Sequence, residues 1–200
     1  MRPAAYIVDD DDAIRDALCW LFQSRGVEAA AWPSAETFLA DYKEDMSGCL
    51  VLDIRMDGMS GLELFDVLIG RRCAMPVIFL TGHADVPLAV AALKRGAYDF
   101  IEKPFNDNEL VDRVLGALEQ DAAQRAARAS QVSVEARVAQ LTTREREVMR
   151  LILAGKLNKV IADELDIAMR TVEVHRARIF DKMGVRSAVE LAQLLAGKRQ

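Results

Sequence analysis

Five short apolar runs, each followed by a helical pattern, fill residues 1–120 and leave few folds open. The runs at 5–8, 27–32, 49–52, 77–80 and 99–101 are bounded by turn or charged residues. Strands buried on both faces of a sheet read this way, as near-continuous apolar stretches rather than alternating ones. The segments between them carry helix punctuation. A helix over 12–24 stops at Gly26, Ser34 caps the next, and Gly61 opens a third over 62–69. Pro87 lies in the first turn of a fourth helix over 87–95, with Gly96 after its end. Asn106 or Asp107 caps a fifth, where Leu110, Val111, Val114, Leu115 and Leu118 recur at helical spacing. Alternating βα units imply an α/β fold, a parallel five-stranded sheet with right-handed crossovers and helices on both faces.

Charge gathers where those strands end. Asp9 to Asp12 follow Tyr6-Ile7-Val8, Asp53 follows Leu50-Val51-Leu52, and Lys103 comes shortly after Phe100-Ile101. Four consecutive carboxylates repel one another unless a cation neutralises them. If the strands are neighbours, all these tips meet at the carboxyl edge of the sheet, where open α/β folds place their sites. Two acidic strand ends and one lysine can hold a divalent cation and a phosphoryl group, which is the chemistry of a phosphate switch. Asp11 and Asp12 read as solvated helix-start charges favoured by the helix dipole. His83 reads as a loop residue, since nothing near it has the spacing of a catalytic triad.

The remainder of the chain differs in charge and pattern. Residues 1–120 carry 11 Lys/Arg against 21 Asp/Glu, while residues 121–200 carry 15 against 10. The split suggests an acidic regulatory half and a half that meets a polyanion, although electrostatic docking of one half on the other gives the same pattern. No apolar run approaches the ~20 residues of a membrane span. The start of the chain shows no secretory pattern, and Cys19, Cys49 and Cys73 lack metal-ligand spacing. The expectation is a cytoplasmic protein with free thiols.

Residues 121–137 are rich in Ala, Gln, Arg and Glu, and read as a helical linker that could carry a dimer stripe at Val132 and Val134. From 138 to 200 the pattern is all helical. Thr142 with Glu145 makes a capping box ahead of Val148, Leu151 and Ile152. Asn158 precedes a helix to Leu165, a turn over 166–169 leads to a helix over 170–183 stopped by Gly184, and Ser187 caps the last. Four short helices of this kind make a small all-α bundle.

The motifs together carry a resemblance. Val8-Asp9-Asp10, Leu52-Asp53, Thr81-Gly82 and Lys103-Pro104 stand at successive strand ends, and with them residues 1–120 resemble the receiver domain of a two-component response regulator, a flavodoxin-like (βα)5 fold. The resemblance implies that Asp53 is the phosphoacceptor. It implies Mg²⁺ held by Asp10, Asp53 and the carbonyl of Arg55, with Asp9 helping through water. It also implies Lys103 at a phosphoryl oxygen, a cis bond to Pro104, and a switch in which Thr81 moves and Phe100 rotates. Hard carboxylate oxygens suit Mg²⁺, and a compact ammonium suits a phosphoryl oxygen. For Phe100, plain core packing explains the residue equally well. One position departs from the family. Asp57 stands where proline is usual, which releases a fixed φ and adds a carboxylate beside the metal loop.

Residues 138–200 resemble the LuxR/NarL-type helix-turn-helix domain. Leu141-Thr142, Arg144 to Val148, Asn158-Lys159, Ile161-Ala162, Arg170-Thr171-Val172, Val174-His175, Ile179 and Lys182-Met183 carry that likeness, and the combination is similar to FixJ-like transcriptional regulators. Periodicity puts Val172, His175, Ile179 and Met183 on an inward stripe, with His175 read as a packed histidine. The opposite side then offers Glu173, Val174 and Arg178 to bases, and Lys159, Thr171, Arg176 and Lys182 to phosphates. The apolar last helix suits dimerisation on DNA.

The reading is a phosphorylation-controlled transcriptional regulator. Its implied partners are a sensor histidine kinase, double-stranded promoter DNA, RNA polymerase and a second copy of the chain. A phosphohydrolase of the haloacid dehalogenase kind also uses an aspartyl nucleophile, but it carries a second Asp two positions on, where this chain has Arg55. A DNA-binding regulator that uses its receiver as an interaction module without phosphate is the other alternative.

Overall fold

The computed structural model describes residues 4–82 and 86–196, with Val86 described in its backbone alone. The expectation for His83 therefore lies outside the described residues. The chain divides into two compact units at Arg125/Ala126.

The first unit alternates β1 (Ala4–Val8), α1 (Asp12–Ser24), β2 (Glu28–Trp32), α2 (Ala35–Asp41), β3 (Gly48–Asp53), α3 (Gly61–Gly70), β4 (Val77–Thr81), α4 (Val86–Lys94) and β5 (Asp99–Glu102), and takes the first part of α5 (Asp107–Ala139). The strands form one parallel sheet in the order β2-β1-β3-β4-β5. Chain direction across the sheet reverses between β1 and β3, and such a switch point opens a crevice at the carboxyl ends of the strands.

Period-two alternation sorts the strand residues onto the two faces. Tyr6, Val8, Leu50, Leu52 and Phe79 pack with Phe38, Leu64, Phe65, Leu68, Ala89 and Ala92 from α2, α3 and α4. Ile7, Val51, Ile78, Leu80 and Ile101 pack against Leu18 and Phe22 of α1 and Leu110, Val111 and Val114 of α5. Each such side chain, fully buried, contributes about 1.5–3 kcal/mol. That burial locks the register of β1, β3 and β4 and so aims the residues at their carboxyl ends.

Local signals set the helix ends. Asp11 caps α1 by accepting from the Ala13 N–H at 2.8 Å. Ser34 with Thr37 and Ser60 with Glu63 form reciprocal capping boxes. Asn106 is the cap of α5, accepting from the N–H groups of Asn108 and Glu109. Gly48 has φ +146°, and a Cβ there would lie 1.9 Å from the Ala4 carbonyl oxygen, so β3 can start this close to β1 only with glycine.

From sequence, a fifth helix and a separate linker are expected. The structure has one continuous helix over Asp107–Ala139, in which no glycine or proline follows Gly116. Residues 121–125 belong with the first unit. The buried Asp121 carboxylate accepts from the Gly48 N–H at 2.9 Å and pairs with Arg125, which donates to the Met46 carbonyl.

The second unit contains the end of α5, then α6 (Thr143–Leu153), α7 (Asn158–Leu165), α8 (Met169–Met183) and α9 (Ala188–Ala196). Val148, Ile152, Ile161, Val172, Ile179, Met183 and Leu191 form its core, with Val134 buried among them. Val134 is thus unavailable for a dimer stripe, while Val132 remains exposed. The α7–α8 turn passes through Asp166, whose φ of +51° closes α7. Asn158 is the first residue of α7 rather than its cap, and Leu157 occupies the cap position with no side-chain bond. Among the described residues no helix is long and apolar enough to cross a membrane.

Candidate functional site

Register builds the first site. Val8 pairs with Leu52, so the next residues, Asp9 and Asp53, emerge side by side. Asp53 pairs with Leu80, and Thr81 pairs with Glu102, which brings Lys103 to the same edge. Lys103 Nζ lies 2.9 Å from Asp9 Oδ2 and 3.0 Å from Asp53 Oδ2. Asp9 is fully buried and Asp10 is exposed. One carboxylate oxygen from each of Asp9, Asp10 and Asp53 lies within 4.8 Å of the others.

The electrostatics reflect this crowding. Burial pushes the Asp53 carboxyl above its ordinary value, and the Lys103 hydrogen bond and charge oppose that rise. Burial alone would lower Lys103, but the hydrogen bonds it donates to Asp9 and Asp53 outweigh it and hold the ammonium high. Three carboxylates against one ammonium leave the pocket anionic. Hard oxygen donors from two strand ends are what Mg²⁺ takes, so the residues present fit that ion.

The surroundings fix these groups. The Asp11 N–H donates to Asp9 Oδ1 at 2.9 Å, and Arg15 Nη1 donates to the Asp9 carbonyl at 2.6 Å. The Arg55 N–H lies 3.4 Å from Asp53 Oδ1. In the loop after β3, the Asp57 N–H donates to Asp10 Oδ2 at 3.0 Å and the Met59 N–H donates to Glu36 Oε1 at 2.9 Å. Neither the Arg15 bond to the Asp9 carbonyl nor the Glu36 bond to the Met59 N–H stands out in the sequence, since each has a backbone partner that no side-chain spacing reveals. The Lys103–Pro104 bond is cis. Thr81 is fully buried, and its hydroxyl donates to the Gly82 carbonyl at 3.1 Å. Phe100 is half-buried, pairs in register with Phe79 and packs on the core of that face.

The second candidate site lies on α8 and the exposed side of α7. Val172, Ile179 and Met183 are buried, and His175 is half-buried with its Nδ1 unpartnered. Arg170, Thr171, Glu173, Val174, Ala177 and Arg178 are exposed, as is Lys159 on α7. Arg176 is half-buried, with its guanidinium 5.3 Å from the centre of the Phe180 ring. Lys182 departs from expectation. Its ammonium is held 2.7 Å from the buried Glu145 carboxylate and donates to the Gln140 carbonyl at 3.2 Å. Freeing it for a phosphate would strand the buried Glu145 charge, which opposes the expected phosphate contact.

Known proteins resemble this chain over nearly its whole length. Residues 5–115 match the family described as response regulator receiver domain, and residues 139–195 match bacterial regulatory proteins, luxR family. The C4-dicarboxylate transport transcriptional regulatory protein DctR of Rhodobacter capsulatus is 51% identical over 196 residues, covering 97% of this chain and 100% of that one. The transcriptional regulatory protein FixJ of Bradyrhizobium diazoefficiens is 44% identical, covering 94% and 92%. Among solved structures, the response regulator StyR is similar with a TM-score of 0.91 at 41% identity, covering 98% of this chain and 99% of that chain. Full-length FixJ from B. japonicum gives 0.62 at 41% identity, covering 98% and 97%.

Proposed function

Because the chain belongs to the response regulators that join a receiver domain to a LuxR-family DNA-binding domain, we propose that Asp53 accepts a phosphoryl group from a sensor histidine kinase. The observation that carries this reading is the Lys103 ammonium lying between the Asp9 and Asp53 carboxylates. An Asp53 oxygen forms the new O–P bond as the N–P bond to the kinase imidazole breaks. Lys103 exchanges a carboxylate oxygen for a phosphoryl oxygen. The Thr81 hydroxyl turns from the Gly82 carbonyl to another, and Phe100 moves into the space released. Asp9, Asp10, Asp53 and the Arg55 carbonyl would hold Mg²⁺, which when bound screens the nucleophile from the phosphoryl oxygens.

Receivers then pair through the face made by α4, β5 and α5, where Leu88 and Leu115 are exposed apolar residues. The paired chains bind a promoter and recruit RNA polymerase as an activator. Glu173, Val174 and Arg178 face base edges, and Lys159, Thr171 and Arg176 face phosphates.

Treatment with acetyl phosphate and Mg²⁺, and then sizing and a DNA gel shift, tests the scheme. The unaltered chain is expected to dimerise and bind DNA more tightly, and Asp53→Asn to do neither. Equal responses from the two proteins would overturn it.

A further inference from the structure

The loop between β3 and α3 is held by a bond that depends on which residue occupies position 57. The Asp57 main-chain N–H donates to Asp10 Oδ2 at 3.0 Å. Asp10 is exposed and lies after β1, whereas Asp57 is exposed and lies after β3, so this bond joins the two chain segments at their solvent-facing residues. Asp10 is also one of the three carboxylates whose oxygens gather within 4.8 Å. A little further along the same loop, Glu36 holds the Met59 N–H. The loop is therefore pinned at two nearby residues by carboxylates from outside it, Asp10 after β1 and Glu36 at the start of α2.

We propose that the Asp57 N–H, rather than the Asp57 carboxylate, positions Asp10 for Mg²⁺ and thereby sets this chain's metal affinity. An exposed carboxylate is otherwise free to rotate into solvent, and ordering it costs conformational entropy when the ion binds. A donor on one of its oxygens removes part of that cost beforehand and leaves the other oxygen for coordination. Such supporting bonds to metal ligands typically change affinity about 10–100-fold when removed. Proline at position 57 cannot make this bond, because it has no N–H. The Asp57 side chain adds little, because a carboxylate that is exposed attracts the cation only through screening solvent. The inference rests on the magnesium site proposed for Asp9, Asp10 and Asp53.

The test uses the ¹⁵N-labelled full chain titrated with Mg²⁺ alone, without a phosphodonor. In the unaltered protein the Asp57 amide is expected to be protected from hydrogen exchange before Mg²⁺ is added. Asp57→Ala keeps the N–H and should bind Mg²⁺ within about twofold of the unaltered chain, while Asp57→Pro should bind roughly tenfold more weakly. An Asp57 amide exchanging as fast as an unfolded chain would overturn the proposal with no variant needed. Equal weakening in the two variants, or none in either, would also overturn it. If the unaltered chain shows no saturable shift with Mg²⁺, the magnesium reading itself falls and this inference with it, an outcome distinct from one in which only the two variants fail to differ.

Discussion

Lys182 Nζ lies 2.7 Å from Glu145 Oε2, which ties α8 to the start of α6. The carboxylate is almost fully buried and also accepts from the Thr142 N–H at 2.8 Å, so one glutamate closes a capping box and an inter-helix ion pair. Removing one partner of a buried pair strands the other charge, which costs about 3–5 kcal/mol when both are buried. Lys182 is about a third exposed, and solvent screening reduces that figure to about 2 kcal/mol. Lys182→Met is therefore expected to destabilise the second unit by about 2 kcal/mol while leaving the DNA affinity of the folded protein nearly unchanged. Denaturant unfolding and a DNA titration on the same variant check both halves. A large loss of affinity without loss of stability would restore Lys182 to the DNA face.

The same pair predicts a pH dependence. The Lys182 hydrogen bond, and after it the Thr142 N–H, holds the Glu145 carboxyl below the ordinary glutamate value of 4.5, against the opposing effect of burial. A depressed folded value means that the ionised form stabilises the fold. That contribution is fully present above the unfolded value and is lost as pH falls through the folded one. Protection of α6 and α8 amides from hydrogen exchange should thus decline as pH drops below about 4.5. Glu145→Gln should start lower at neutral pH and show a flatter slope across that window.

The sheet, its strand tips and most helix caps are legible in the sequence, because each depends on residues close together in the chain. A buried parallel strand announces itself by apolar composition, and Thr142 with Glu145 announces a helix start by spacing alone. Pairings through space are another matter. The helical spacing of α8 puts Lys182 on a flank but says nothing of Glu145, 37 positions earlier. Likewise Asp10 and Asp57 meet across 47 positions through a main-chain donor, which composition does not encode. The continuity of α5 is half legible. The absence of helix breakers after Gly116 favours one helix, but the Asp121 bond to Gly48 and the Arg125 bond to Met46 show where the first unit ends.

Gly61 gives a prediction about Asp53, the proposed phosphoacceptor. A Cβ at this position would lie 2.0 Å from the Asp53 carbonyl oxygen, and the Gly61 N–H donates to the Ile54 carbonyl at 3.0 Å. The first residue of α3 is thus packed directly on the peptide that carries Asp53. Gly61→Ala must displace one of them, at an expected cost of about 1–3 kcal/mol or more. A misplacement of about 1 Å at a reacting group can cost on the order of 100-fold in rate. Phosphorylation by acetyl phosphate should slow far more than thermal stability falls. Gly70, at the other end of α3, has open space around it, so Gly70→Ala should be neutral or stabilise by about 0.5–1 kcal/mol.

The exposed residues of α7 and α8 separate the two kinds of DNA contact proposed for this chain. Arg178 and Glu173 lie on the side opposite the buried Val172, Ile179 and Met183. Lys159 is exposed on α7, the helix before the turn. A group that reads a base edge distinguishes sequences, whereas one that meets a phosphate does not. Arg178→Ala is expected to cost about 1–3 kcal/mol on the preferred site and to relax discrimination at one base-pair position. Lys159→Met should weaken specific and nonspecific sites alike, and lower the slope of log affinity against log salt by about 0.9. Titrations of the phosphorylated full chain on the preferred site, on single-base variants and at several salt concentrations measure both effects. If Arg178→Ala instead lowers the salt slope and leaves base preference intact, Arg178 contacts the backbone and the reading face must be rotated toward Glu173 and Val174.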